Sequence, residues 1–463
     1  MNQEHLTFFV QLLGNDFVKS DMESRVAYGS DETENLNFPA EVVLLPGTTH
    51  EVSQLLAYCN ENEIPVTALG ALTGLSGGAL CVNGGVGLSM KRFNQILKID
   101  TLNGQVHVQP GVITQILQEA CAEQGWYYAP DPASKGSCFI GGNLAENSGG
   151  PHAVKYGVTK DFVLNLQVVL ANGDVIWTGA NTLKNSTGYN LTQLMVGSEG
   201  TLGIITEAVL KLVPLPRLNL LLLAPFASAE KACEAVSAIF RAGITPSALE
   251  FMERDAIAYT LQFVDDVTVD LDGVEAHLLI EVDGSSSEAL MLDCETISNV
   301  LVEHDCGEIL FAEDHNQKEA LWKVRRKVGE AVKSHSVYKE EDTVVPRYEL
   351  PKLLRGVKQI GTKYGFRSVC YGHAGDGNLH INILKDNLSD EVWNNQLPLA
   401  IREIFELTVA LGGTLSGEHG IGWVQKNYMD IAFNTVQLNL MKQIKNAFDP
   451  KGILNPGKVF PDA

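Results

Sequence analysis

Gly70-Ala71-Leu72-Thr73-Gly74-Leu75-Ser76-Gly77-Gly78 is the first of three glycine-dense stretches, followed by Gly141-Gly142-Asn143-Leu144-Ala145-Glu146-Asn147-Ser148-Gly149-Gly150 and Gly197-Ser198-Glu199-Gly200-Thr201-Leu202-Gly203. A glycine lets backbone N–H groups close on an anion with no Cβ in the way, so such loops can cradle a pyrophosphate. One loop alone reads more readily as a tight turn. Three in one α/β region point to a dinucleotide. Around them, Val42 to Leu45, Gly85 to Met90, Val106 to Val108 and Leu166 to Leu170 read as strands, with Thr49 to Glu61 and Thr114 to Gln124 as helices. No G-x-G-x-x-G follows a strand, so the nicotinamide fingerprint is missing. Gly452 to Lys458 spells the start of a triphosphate loop, but Val459 replaces the required Ser or Thr and only five residues follow Lys458. That is too few for the helix such a loop opens, which excludes an ATPase.

A chain of 463 residues exceeds one ordinary core and predicts two or three parts. Pro214-Leu215-Pro216-Arg217 interrupts the apolar pattern after a strand over Ala208 to Val213 and reads as a linker. Beyond it Ala229 to Ala242 and Ser286 to Glu303 read as helices and Ala276 to Val282 as a strand, so a second α+β unit starts near residue 218. Trp393 to Leu411 and Thr435 to Phe448, helix-like, flank the glycine-rich Gly412 to Gly422. With 34 basic against 56 acidic residues the formal charge is -22, which repels phosphate backbones and excludes nucleic acid as a partner. An anionic substrate would then require a local cation inside the site. The eight cysteines contain no C-x-x-C pair, which excludes a zinc ribbon or an iron–sulfur cluster and suggests free thiols. No basic n-region and no long uncharged apolar run is present, and a cytoplasmic protein is expected.

The second concentration of chemistry is Tyr371-Gly372-His373-Ala374-Gly375-Asp376-Gly377-Asn378-Leu379-His380-Ile381-Asn382, then Ser416-Gly417-Glu418-His419-Gly420-Ile421-Gly422. His373, His380 and Glu418 form a two-histidine, one-carboxylate set that suits zinc, manganese or iron. The same histidines could simply hydrogen-bond backbone. Alternation puts His380 and Asn382 on one face of a strand, so Asn382 can address whatever His380 binds. His419 is a candidate base, or else a hydrogen-bond partner of a ligand residue.

These motifs resemble the FAD-linked oxidases of the vanillyl-alcohol oxidase type, in the branch with the glycolate oxidase large subunit, D-lactate dehydrogenase and D-2-hydroxyglutarate dehydrogenase. The resemblance runs over nearly the whole chain, through Pro65 to Ala79, Pro130 to Ser134, Ile140 to Asn143, Lys155-Tyr156-Gly157, Gly197 to Gly203, Leu321 to Arg325, Val345-Pro346-Arg347, the His373 and Glu418 motifs, and Leu454 to Lys458. It implies an α+β architecture: a two-part FAD-binding domain over residues 1–216, a ferredoxin-like antiparallel cap over 217–410, and a C-terminal helical segment over 411–463 completing the active site. Gly70, Ala71, Thr73, Gly74, Ser134, Ser137, Gly141, Gly142 and Asn147 would hold the pyrophosphate and ribityl chain. Gly203 and Ile205 would lie toward the adenine, and Asn455 near the flavin ring. Ala68, Leu69 and Leu72 depart from the proline, arginine and glycine usual in the first loop, a change that bears on pyrophosphate contacts or loop conformation. No histidine or cysteine occupies the family's flavin-attachment position in that loop, so FAD is expected to be non-covalent.

The resemblance also assigns Arg325 to the substrate carboxylate, Asn382 and His419 to the reacting centre with His419 as base, and His373, His380 and Glu418 to a divalent metal, zinc or manganese. At Glu340 the hydroxyglutarate enzymes carry a lysine, so a second carboxylate would be repelled here. The expected reaction is oxidation of a small D-2-hydroxy acid, D-lactate or glycolate, with D-2-hydroxyglutarate oxidation or a non-catalytic flavin subunit as alternatives. An electron-transfer protein, a quinone or an iron–sulfur subunit would take the electrons. A homodimer and peripheral attachment to the inner face of the membrane remain open.

Overall fold

The computed structural model describes residues 1–264 and 269–462. Two compact units emerge: one comprises Met1–Gly149, Gly157–Leu215 and Glu418–Ala463, the other Gly150–Tyr156 and Pro216–Gly417.

In the first unit, helix Thr49–Glu61 begins with a capping box, Thr48 Oγ1 accepting from Glu51 N and Glu51 Oε2 from Thr48 N, both at 3.2 Å. Val52, Leu55, Leu56 and Cys59, at helical spacing, are buried against Val42, Leu44, Val66, Val86 and Leu88. Those strand residues belong to a four-stranded sheet ordered Val18–Lys19, Val42–Leu44, Val86–Ser89, Val66–Leu69, the last three parallel. Parallel strands are buried on both faces, hence their unbroken apolar text. A second, antiparallel sheet runs Ile96–Asp100, Gln105–Val108, Ile204–Lys211, Val163–Val169, Val175–Trp177. These sheets make the two-part α+β domain that the resemblance implies. The C-terminal tail adds to the first sheet, with Val66 N donating to Ile453 O and Asn455 N to Val66 O, each at 2.8 Å.

The second unit is built on a seven-stranded antiparallel sheet ordered Leu310–Phe311, Leu218–Phe226, Ala276–Gly284, Ala248–Glu253, Arg367–Gly372, Asn378–Leu384, Tyr338–Val344. Helices Arg254–Phe263 and His315–His335 pack on one face through Ile257, Leu321, Trp322, Val324 and Val328, against Leu221, Leu279, Met252 and Val369. Register fixes which polar residues share that face: His380 stands opposite Asp342 and Tyr371, and Asn382 opposite Glu340 and Val369. Helix Leu350–Tyr364 serves the other face, where Lys358 Nζ reaches Glu253 Oε2 at 2.8 Å.

Candidate active site

The three glycine loops of the first unit converge. One cavity is lined by Gly70, Gly78, Gly141, Gly142, Glu146, Glu199, Gly200, Gly203, Ile205 and Asn455, and a neighbouring one by Gly70, Ala71, Thr73, Gly74, Ser134, Gly142, Glu146, Glu418 and His419. A Cβ on Gly142 would meet nothing within 4 Å, and one on Gly70 only the Gly142 backbone at 3.9 Å. The cradle is therefore a space that side chains would fill, which fits a cofactor bound by backbone. Gly141 differs, because its Cβ would lie 2.7 Å from Pro110 Cβ, so it serves close packing. Ser137 and Asn147 stand outside both linings. Ser137 Oγ donates to Ser134 O at 3.2 Å, and Asn147 Oδ1 accepts from Lys160 N at 2.9 Å while its left-handed backbone ends helix Ile140–Glu146.

Leu72, where the family loop has glycine, holds φ +60°, so the backbone keeps a glycine-like conformation with a side chain attached. Asn147, Glu199, Asn455 and Val459 are also left-handed, and these strained positions gather in and beside the cradle. Asn455 Nδ2 donates to Gly78 O at 3.0 Å and Glu199 O at 2.7 Å, tying two loops together. Lys458 does the same from its amine, to Gly78 O at 3.3 Å and Asn455 Oδ1 at 3.0 Å. Burial pushes its pKa down to about 8. Burial, with Glu199 and Asp31 nearby, pushes Glu146 well above the usual carboxylate range, against the opposing pull of Lys458. Glu199 is also raised by burial, although Ile421 N and Gly422 N donate to it at 2.9 and 2.6 Å. Sequence reasoning passed over these carboxylates, since Glu in a glycine loop carries no chemical signature of its own.

The second unit holds the other candidates. Arg325, on helix His315–His335, is only 5% exposed. Its Nη2 lies 2.6 Å from Glu250 Oε2, its guanidinium 5.2 Å from the centre of the Tyr371 ring, and its buried Nε finds no partner. His373 follows strand Arg367–Gly372, and its Nδ1 lies 2.8 Å from the same Glu250 oxygen. The His373 and His380 rings are 5.5 Å apart, edge to face. His380 Nδ1 is 3.4 Å from Glu340 Oε1, which also accepts from Tyr371 Oη at 3.3 Å. Asn382 is fully buried with neither amide atom in hydrogen-bond geometry. A buried unsatisfied amide costs about 1–3 kcal/mol and marks a place for a polar ligand atom. Asp342, opposite His380, accepts from Asn378 Nδ2, Ser416 Oγ at 2.8 Å and Gly417 N at 2.9 Å. Glu250 thus stands against Arg325 and His373, and Glu340 and Asp342 against His380. Glu281 makes a separate knot on this sheet face, accepting from Trp322 Nε1 at 3.1 Å and Ser247 Oγ at 3.0 Å, with His152 Nε2 3.2 Å away. Burial raises it, but these partners together hold its carboxyl below the usual range. Glu250 and Glu281 were missed in the sequence because each lies between apolar neighbours in a strand, outside any recognisable motif.

Residues 40–179 match the family model described as FAD binding domain, and residues 215–459 the one described as FAD linked oxidases, C-terminal domain. The chain belongs to the FAD-linked oxidase family. This FAD-linked oxidase is 40% identical to the glycolate oxidase subunit GlcD of Bacillus subtilis (strain 168), covering 97% of this chain and 95% of the relative. It is 39% identical to D-lactate dehydrogenase of Anaerostipes hadrus, covering 90% of this chain and 89% of that one. A solved p-cresol methylhydroxylase with bound substrate superimposes with a TM-score of 0.82 at 19% identity, covering 100% of this chain and 98% of that one, a likeness of fold alone. The protein is therefore an FAD-dependent oxidoreductase of this family, and the vanillyl-alcohol oxidase type of fold that the resemblance implies is borne out. Among the described residues no helix is long and apolar enough to cross a membrane.

Proposed function

We propose that this FAD-linked oxidase converts a small D-2-hydroxy acid, D-lactate or glycolate, to its 2-oxo acid. The observation that carries the reading is the buried group of Arg325, His373, His380 and Asn382, which combines a guanidinium, two imidazoles and an unsatisfied amide. Relatives that are named for glycolate and D-lactate support it. Arg325 takes the substrate carboxylate with N–H donors that Glu250 leaves over, among them Nε. Asn382 satisfies its amide on the substrate. His373, His380 and Glu418 hold a divalent metal, zinc or manganese. When bound, such a cation supplies Lewis acidity that lowers the pKa of a hydroxyl. His419, a lining residue of the glycine-loop cavity, accepts the hydroxyl proton. Gly70, Ala71, Thr73, Gly74, Ser134, Gly142, Gly203, Ile205 and Asn455, which line the two cavities, would hold non-covalent FAD, while Gly141 packs on Pro110 and Ser137 and Asn147 brace the loops behind them; the flavin would supply the acceptor for the hydride from Cα. Glu340, with its carboxylate beside His380, repels a second carboxylate and favours a monoacid over D-2-hydroxyglutarate. Electrons pass on to an electron-transfer protein, a quinone or an iron–sulfur subunit, in the cytoplasm or at the inner membrane face, from a monomer or homodimer.

The test is anaerobic reduction of the metal-loaded flavoprotein, followed in the visible flavin band, by D-lactate, glycolate, D-2-hydroxyglutarate and L-lactate separately. Bleaching by D-lactate or glycolate that a chelator or His419→Ala abolishes is the expected result. Bleaching by D-2-hydroxyglutarate alone would overturn the monoacid assignment. A yellow protein that none of the four reduces would leave a flavin-binding subunit without this activity.

A further inference from the structure

We propose that Glu250 is a positioning residue that sets two functional side chains at once, fixing the His373 ring so that Nε2 is its ligating atom and anchoring the Arg325 guanidinium. The inference rests on the metal and carboxylate roles proposed above for those residues. Glu250 rises from strand Ala248–Glu253 between Leu249 and Phe251, and is fully buried. Its Oε1 and Oε2 lie 2.9 and 2.8 Å from His373 Nδ1, and Oε2 lies 2.6 Å from Arg325 Nη2. An ionised carboxylate only accepts, so the ring proton sits on Nδ1 and the lone pair of the neutral imidazole is on Nε2, the atom offered to a metal. Arg325 Nη2 and His373 Nδ1 are themselves 3.5 Å apart. Two donors approach this closely because both point at the one carboxylate.

Stability alone is a weak reason for the arrangement. A buried ion pair recovers little more than its desolvation cost, and apolar residues of similar volume commonly serve as well. Orientation is the better reason, since a metal-binding histidine needs its second nitrogen held by an acceptor to keep ring and tautomer fixed. One residue then couples the two halves of substrate recognition: the imidazole that holds the cation and the guanidinium that receives the carboxylate.

The test measures Zn2+ affinity of the FAD-loaded protein by competition with a chromophoric chelator, for wild type, Glu250→Gln, His373→Ala and the double variant. The expected result is a loss of about 10- to 100-fold for Glu250→Gln, a larger loss for His373→Ala, and no further loss when Glu250→Gln is added to His373→Ala. Wild-type affinity in Glu250→Gln, or the same fold loss in the His373→Ala background as in wild type, would overturn the proposal, because a merely structural carboxylate acts regardless of the imidazole. Wild-type affinity in His373→Ala would instead remove the metal role of His373, and this proposal with it. Glu250→Gln/Arg325→Met, in which the buried charges stay balanced, must show the same loss as Glu250→Gln and provides the measurement if the single variant fails to fold.

Discussion

Gly141 and Gly142 are adjacent in one short helix, yet replacing each by alanine should act in opposite directions on the flavin-free protein. A Cβ on Gly142 meets no atom within 4 Å, so Gly142→Ala brings only the helix-propensity gain of about 1 kcal/mol. For a unit of this size that raises the unfolding midpoint of the apoprotein by about 3 °C. The same methyl enters the space read as the cofactor cradle, where overpacking costs about 1–3 kcal/mol, an affinity loss of about 5- to 150-fold. Gly141→Ala places its Cβ 2.7 Å from Pro110 Cβ and 3.1 Å from Pro110 O, so overpacking cancels or exceeds the helical gain and the apoprotein melts no higher than wild type. Flavin would be stripped, thermal unfolding followed by far-ultraviolet circular dichroism, and FAD titrated back by its fluorescence quenching. Wild-type FAD affinity in Gly142→Ala, or an apoprotein midpoint below wild type, would refute the reasoning that backbone at Gly142 faces the cofactor.

Three further outcomes are expected. Glu146 keeps its proton in the folded protein well above the 4.5 of a free glutamate, so apoprotein stability falls as pH rises through that value, by up to about 1.4 kcal/mol per unit. Urea unfolding across pH should show this slope in wild type and a flatter one in Glu146→Gln, and parallel curves would count against a protonated Glu146. Arg325→Met strands the buried Glu250 carboxylate and should cost about 3–5 kcal/mol by denaturant unfolding, most of it recovered in Arg325→Met/Glu250→Gln; additive losses would show that the pair is not coupled. Asn382→Leu removes the buried amide beside Tyr371 and should raise KM for the hydroxy acid in steady-state assays; an unchanged KM would mean that the amide does not address the substrate.

Local text was informative wherever local forces decide the structure. Helices Thr49–Glu61 and Thr435–Phe448 match the bounds their periodicity predicts, because caps and apolar spacing lie within a few residues. Strand Val163–Val169 begins earlier than the apolar run from Leu166, since Asn165 is held by its own amide bonds to Asn181 and Gly179 rather than by hydrophobicity. The expected helix from Trp393 to Leu411 is divided, with a π turn at Val392–Gln396 before helix Leu397–Ala410 and Pro398 near its start. Leu72 was visible as a departure from the family loop, but only backbone geometry shows that the left-handed conformation persists there. Arg325 was legible as a candidate cation. Its partner was not, because Glu250 lies far away in sequence, and only the register of the antiparallel sheet and the helix packed on it bring the two together.

The discontinuity of the first unit has a consequence for biosynthesis. Asn455 and Lys458 follow the whole second unit in the chain, yet they tie Gly78 and Glu199 into the cradle and continue the sheet beside Val66. The strands of the second unit, all between Leu218 and Leu384, have emerged by then and can fold as the chain grows. Cofactor capture therefore waits until Asn455 and Lys458 have emerged, and a nascent chain stalled before Asn455 would carry a folded antiparallel sheet and no competent flavin pocket.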